Sequence, residues 1–289
     1  MRGDAPLASL DRRGVLGGGL SAAVLPGCVY RAESPPLTEI VLIHGAWHGG
    51  WCWDLVRPLL ESAGLTVHAP TLPGLAERAG ELRAGLGLAD HVADARAYAE
   101  QHVSGPFVLV GHSYGGMVVT ALADALKSRI AHVVYLDAAV PRDGESMVSY
   151  GAPRSAETIA ASVAALRQLA PDGVAMAPLP PALLGIPEDH PRHDWVAQRL
   201  TAHPLKTWLD PVALAHGGAQ DLPRTYIHCT DPVLPQTQFP WLAERARTDP
   251  SWRYAKLATG HEAMITDPEG VAMQIIAAMM AAKTMEARA

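Results

Sequence analysis

The sequence predicts an α/β fold, a doubly wound, mostly parallel sheet with a helical cap inserted after its middle strands. Three observations carry this. Short β-branched and aliphatic runs recur along the chain, apolar throughout rather than alternating, as strands buried on both faces require. Segments with helical apolar spacing separate them. The alternation lapses once, after Pro141, into a Pro-rich stretch with helical patches only.

In chain order, Ile40-Val41-Leu42-Ile43 ends at His44-Gly45 and reads as the first strand. Trp51 to Ala63 has helical spacing and stops at Gly64, a residue suited to a left-handed C-terminal position; the strand Thr66 to Ala69 follows. Leu88 to Val103 is expected as a helix, Phe107 to Val110 as a strand, Gly116 to Leu126 as a helix and His132 to Leu136 as a strand. Within residues 141–216 helices are expected at Ala156–Leu169 and Trp195–Leu200, and no strand. The α/β pattern then resumes with a strand at Thr225–Cys229, a helix near Trp241–Arg247 and a strand at Trp252–Leu257. Pro268 opens the closing helix, which runs to about Ala282. Residues 37–140 and 217–289 thus form the core, and residues 141–216 the cap.

Composition narrows the function. Of 289 residues, 49% are apolar and 18% charged, ordinary for a globular chain. The net charge of -6, with no basic run, argues against nucleic acid and suits a small, largely apolar substrate. Three scattered cysteines make no disulfide framework and no metal pair, and Cys52 and Cys229 are expected in the core. Residues 1–36 are set apart. Arg12-Arg13 before the Gly-rich stretch 14–27 resembles a twin-arginine export signal too short to span a bilayer, and Leu25-Pro26-Gly27-Cys28 resembles a lipoprotein cleavage box with an atypical proline. Export, to the periplasm or beyond, and a lipid anchor at Cys28 are therefore expectations. A plain N-terminal extension on a cytoplasmic chain is the alternative.

The chemistry centres on Gly111-His112-Ser113-Tyr114-Gly115, a G-x-S-x-G sequence lying directly between a strand and a helix. Small residues two before and two after Ser113 permit a sharp turn that exposes its oxygen, and the helix N-terminus favours an anion forming beside it. Ser113 is the expected nucleophile. An acyl-transfer site needs two N–H donors for the oxyanion, and the backbone N–H groups of Tyr114 and of Ala46, after the first strand, are the candidates. His261, in Thr259-Gly260-His261 after the last strand, lies at the same sheet edge and is the expected base. For the acid that orients it, Asp137 ends the strand beside the elbow and Asp231 follows the next strand; Asp137 is preferred, and Asp231, followed at once by Pro232, stays open. The pairs His44/His48 and His190/His193 lack support for a metal site, so no metal and no cofactor is expected. Trp47, Met147, Trp195 and Trp208 are candidate pocket residues for an ester or lactone substrate.

Four segments resemble one branch of a known family. Val41–Trp53 (VLIHGAWHGGWCW), Gly111–Val118 (GHSYGGMV), Tyr135–Pro141 (YLDAAVP) and Thr259–Met264 (TGHEAM) are similar to the hydroxynitrile lyase and plant methylesterase branch of the α/β-hydrolases, with its bacterial esterase relatives. The likeness spans about residues 38–282, loosely in the cap. It implies a serine esterase. Cyanohydrin-cleaving members carry threonine after the first histidine and lysine after the catalytic one, where this chain has Gly45 and Glu262. A lyase of that kind and a non-catalytic ligand receptor remain the alternatives.

Overall fold

The structure is a computed structural model that describes residues 37–234 and 237–286. The readings placed on residues 1–36, Cys28 among them, lie outside the described residues.

Six strands form one sheet in the order β2-β1-β3-β4-β7-β8, every neighbouring pair parallel. In chain order they come with β1 (Glu39–Ile43), α1 (Arg57–Ser62), β2 (Thr66–His68), α2 (Leu88–His102), β3 (Phe107–His112), α3 (Gly115–Ala125) and β4 (Ile130–Leu136). The segment before the next sheet strand carries α4 (Ala156–Leu169), β5 (Ala175–Met176), α5 (His193–Ala197), β6 (His203–Pro204) and α6 (Lys206–Leu209). The chain closes with β7 (Arg224–Cys229), α7 (Phe239–Thr248), β8 (Trp252–Leu257), α8 (Ala263–Thr266) and α9 (Pro268–Glu286).

The period of two along each strand builds a core on both faces. Val41, Ile43, Leu109, Val133 and Tyr135 join α2, α3 and α7 on one side. Ile40, Leu42, Val108, Val110, Val134 and Leu136 join α1 and α9 on the other. This two-sided burial is why the strands read as apolar runs rather than alternating ones. Cys52 and Cys229 are free thiols in the second core. No helix among the described residues is long and apolar enough to cross a membrane.

Four expectations need correction. The single helix expected over Trp51–Ala63 is a 3₁₀ turn (Gly50–Trp53) followed separately by α1. Pro58, which has no N–H to give to a preceding turn, sits in the first turn of α1 and opens a new helix instead. Residues 141–216 do contain strands, the two-residue antiparallel pair β5–β6; so short a bridge carries no periodicity. Trp195–Leu200 is helical only as α5, and the closing helix is longer than expected and preceded by α8.

Where the chain re-enters the sheet ahead of β7 it is pinned by one carboxylate. Asp124, buried near the end of α3, accepts from the backbone N–H groups of Ala215 (2.9 Å), His216 (2.7 Å) and Gly218 (2.8 Å). Burial raises the pKa of this carboxyl, but the three donors outweigh it and hold it below the usual aspartate range. The stabilisation is therefore present at neutral pH and lost as pH falls through that lowered value. Asp124→Ala is expected to cost about 2 kcal/mol, read as a fall in the urea midpoint at pH 7 that shrinks in acid. A variant as stable as the parent at pH 7 would refute the role.

Candidate active site

Because all six strands are parallel, their C-terminal ends share one edge, and the candidate residues gather there. His112 of β3 is in register with Leu136 of β4, so Ser113 and Asp137 are the first residues past two adjacent tips. Both have left-handed backbones, φ 54° at Ser113 and φ 40° at Asp137, which is strained for a residue with a Cβ. Backbone bonds hold each in place: Ser113 N–H donates to Leu136 O (3.3 Å), Ala139 N–H to Ser113 O (3.0 Å) and Asp137 N–H to Ile227 O (2.8 Å). Glycine is required behind the turn, since a Cβ on Gly115 would lie 2.7 Å from the carbonyl oxygens of both Ile43 and His44.

His261 Nδ1 lies 2.7 Å from Asp137 Oδ2, and Asp137 Oδ1 accepts from Cys229 N–H at 3.3 Å. The His261 ring is almost wholly buried, between the Phe239 ring (centroids 5.2 Å apart, 11° between planes) and the His112 ring (4.5 Å). Burial lowers the imidazole pKa, but the hydrogen bond and charge of Asp137, with the charge of Glu262, outweigh it and hold it above the ordinary value. Asp231 is elsewhere. It is exposed beyond β7, with its N–H bonded to Thr259 O (3.0 Å) and a cis peptide to Pro232, so the two candidate acids are not equivalent: only Asp137 is bonded to His261.

The loop after β1 is held by histidines that have to be neutral. His44 donates Nδ1–H to Gly45 O (2.8 Å) and accepts Leu72 N–H at Nε2 (3.0 Å). His203 accepts Trp47 N–H at Nδ1 (3.2 Å) and donates Nε2–H to Thr207 Oγ1 (2.8 Å). An imidazole that accepts an N–H cannot carry both protons. Burial agrees, lowering His44 to about 3 and His203 well below the ordinary range. With Trp47 N–H taken by His203, the neighbouring Ala46 N–H has no acceptor among the described residues, nor has the N–H of Tyr114. The Tyr114 side chain lies away from the site and gives its hydroxyl proton to His91 Nδ1 (2.9 Å), since His91 Nε2–H is committed to Pro73 O (3.0 Å).

A cavity of about 480 Å³ opens over these tips. Ser113, His261, Trp47, Met147 and Trp208 line it, together with Tyr150, Arg154, Leu179, Leu183, Leu184, Leu234, Thr237, Gln238 and Phe239. Its size is that of a small-molecule site.

A model of the alpha/beta hydrolase family matches residues 40–274. The chain belongs to that family. A carbendazim hydrolyzing esterase of Nocardioides sp. (strain SG-4G) is 34% identical over 248 residues, 83% of this chain and 99% of the relative. Methylesterase 8 of Arabidopsis thaliana is 31% identical over 46% of this chain and 48% of its own length. Among solved structures, an extracellular alpha/beta-hydrolase from a Paenibacillus species, described as sharing homology with tobacco salicylic acid binding protein 2, superposes with a TM-score of 0.71. It is 22% identical, and the match covers 83% of this chain and 98% of that one. The fold is thus that of the branch the sequence resembles.

Trp195 is a correction. Its ring stands edge-on to Trp51 (5.2 Å) under the Arg199 guanidinium (4.5 Å) and does not line the cavity. Other residues of the site gave little sign of themselves in the sequence. His112 donates Nε2–H to the backbone carbonyl of His261 (3.1 Å), tying the turn at Ser113 to the loop that carries His261, and a lone histidine beside a glycine carries no such information. His48 Nδ1–H bonds Ala46 O (2.7 Å), and its Nε2 lies 3.3 Å from Glu262 Oε2, both side chains buried. Ligand-capable atoms of His112, His261 and Glu262 lie within 4.8 Å of one another. However, His261 Nδ1 and His112 Nε2 already have partners, which leaves one nitrogen on each ring.

Glu262→Gln removes one of the charges that hold His261 above its ordinary pKa. The His261 titration followed by NMR is expected to move to lower pH, and an unchanged midpoint would exclude Glu262 as a contributor.

Proposed function

We propose that this chain is a serine hydrolase that cleaves a carboxylic ester or lactone through an acyl-enzyme. The observation that carries the reading is the 2.7 Å contact between His261 Nδ1 and Asp137 Oδ2, which leaves Nε2 of the ring for the cavity it shares with Ser113. In the proposed sequence Ser113 Oγ attacks the carbonyl carbon while His261 Nε2 takes its proton. The N–H groups of Ala46 and Tyr114 receive the oxyanion. The imidazolium gives its proton to the leaving alcohol, and a water activated by the same ring then releases the acid. Asp137 keeps Nδ1 protonated and stabilises the imidazolium, and the strained backbones of Ser113 and Asp137 aim both groups before substrate arrives. Residues 141–216 act as the cap, contributing Met147, Leu179, Leu184 and Trp208 to an apolar pocket.

The names of the relatives support ester hydrolysis, and two features disfavour cyanohydrin cleavage. The threonine of such lyases would have to stand at Gly45, where a Cβ meets His112 Nδ1 at 2.8 Å and Ser113 Cβ at 3.0 Å. Their lysine would stand at Glu262, which has the opposite charge. A receptor without chemistry would have no use for a nucleophile held at φ 54°.

Ser113→Ala is expected to lower kcat on a p-nitrophenyl ester by about 10⁴-fold or more with the circular dichroism unchanged; retained turnover would overturn the mechanism. Asp137→Asn should cost about 10⁴-fold in kcat, whereas Asp231→Asn, at an exposed site, should change it by no more than about twofold. The reverse ranking would reassign the acid. Because the base must be neutral and its pKa is raised, kcat/KM should climb with pH through a midpoint above the ordinary histidine value of about 6.5. A midpoint at or below that value would contradict the assignment.

A further inference from the structure

Arg154 is the one permanently charged side chain on the cavity wall, whose other residues are mostly leucines and aromatics. It is half-buried and has no acidic partner: no Asp or Glu oxygen lies within 4.0 Å of it among the described residues. Arg78, likewise half-buried, is bonded at 2.7 Å to both Glu81 and Asp94. Two neutral groups instead fix the Arg154 fork. Nη1 donates to Val148 O (2.9 Å) and Nη2 to Ser162 Oγ (2.7 Å) on α4. A guanidinium has five N–H donors, so these bonds orient the group while leaving part of its donor edge uncommitted. A cation kept unpaired beside apolar walls is costly unless a ligand supplies the counter-charge.

We infer that Arg154 is an anion-recognition residue, and that the preferred substrates are esters with an apolar body and a free carboxylate at the end remote from the scissile bond. The inference rests on the proposed hydrolase activity and adds its substrate class. A carboxylate seated on Arg154 would gain charge-assisted, two-pronged bonds and would hold the ester carbonyl over Ser113. Arg154 touches no reacting atom, so its effect falls on anionic substrates alone.

Two matched pairs of substrates test this, one for each side of the ester: mono-4-nitrophenyl adipate against 4-nitrophenyl hexanoate, and 4-carboxyphenyl hexanoate against phenyl hexanoate. In at least one pair the anionic member is expected to have the higher kcat/KM, by roughly tenfold to a hundredfold. Arg154→Leu should abolish that preference while leaving the neutral member within about threefold, and Arg154→Lys should keep part of it. The neutral substrates also report whether each variant folds. No anionic preference in either pair, or an equal loss on neutral and anionic members, overturns the inference. Ser113→Ala on the neutral esters separates the two levels: if their turnover depends on Ser113 while no Arg154-dependent preference exists, only the substrate class falls. If Ser113→Ala retains turnover, the underlying hydrolase reading falls.

Discussion

Six parallel strands deliver six chain ends to one edge, and the chain has to leave that edge abruptly where the two central strands finish side by side. The shared constraint is steric. At the tip of β3 a Cβ at position 115 would collide with the loop of β1, and at the tips of both β3 and β4 the first residue outside the strand adopts a left-handed backbone. Such conformations cost on the order of 1–3 kcal/mol each and persist only where the surroundings over-determine them. Here the surroundings are the sheet itself, since Leu136 O accepts from Ser113 and Ile227 O from Asp137. The strain is thus held by hydrogen bonds to the adjoining strands.

The second tier is the set of buried imidazoles. His44, His203 and His48 fix the loop after β1 through one backbone group each from Leu72, Trp47 and Ala46, and His112 fixes the loop carrying His261. His203 comes from the segment between β4 and β7, so that segment takes part in shaping the loop after β1 as well as lining the cavity. His261 differs from His44, His112 and His203 in having a carboxylate as its partner, and its pKa is raised while burial drives those three down.

The sheet was legible because burial on both faces leaves unmistakable apolar runs, and the strand-to-helix step at Ser113 because glycines are compulsory there. Long range is where the sequence fell silent. Local features favoured Asp137 over Asp231 as the neighbour of His261 without excluding either; the difference arises from register, since Asp137 follows the strand paired directly to β3 while Asp231 stands beyond β7, exposed. Trp195 looked like a pocket aromatic because composition does not reveal which face of a five-residue helix turns inward. Phe239 and His203 were invisible because their partners, His261 and Trp47, lie far from them along the chain. Arg154 had a faint signal, as the only charged residue between Glu145 and Glu157.

The buried imidazoles also tie folding to proton traffic. His44 is held at about 3, His91 and His132 at about 4, and His112 and His203 well below the ordinary value, all chiefly by burial. Once unfolded, each would titrate near 6.5. In mild acid the unfolded chain therefore takes up protons that the native one refuses, and stability declines as pH drops below about 6.5 towards the folded values. His261 works in the opposite sense, binding its proton more readily when folded, but it is one ring against five. The interior that orders the site thus sets an acid limit on the whole molecule, independent of whether the site itself is intact.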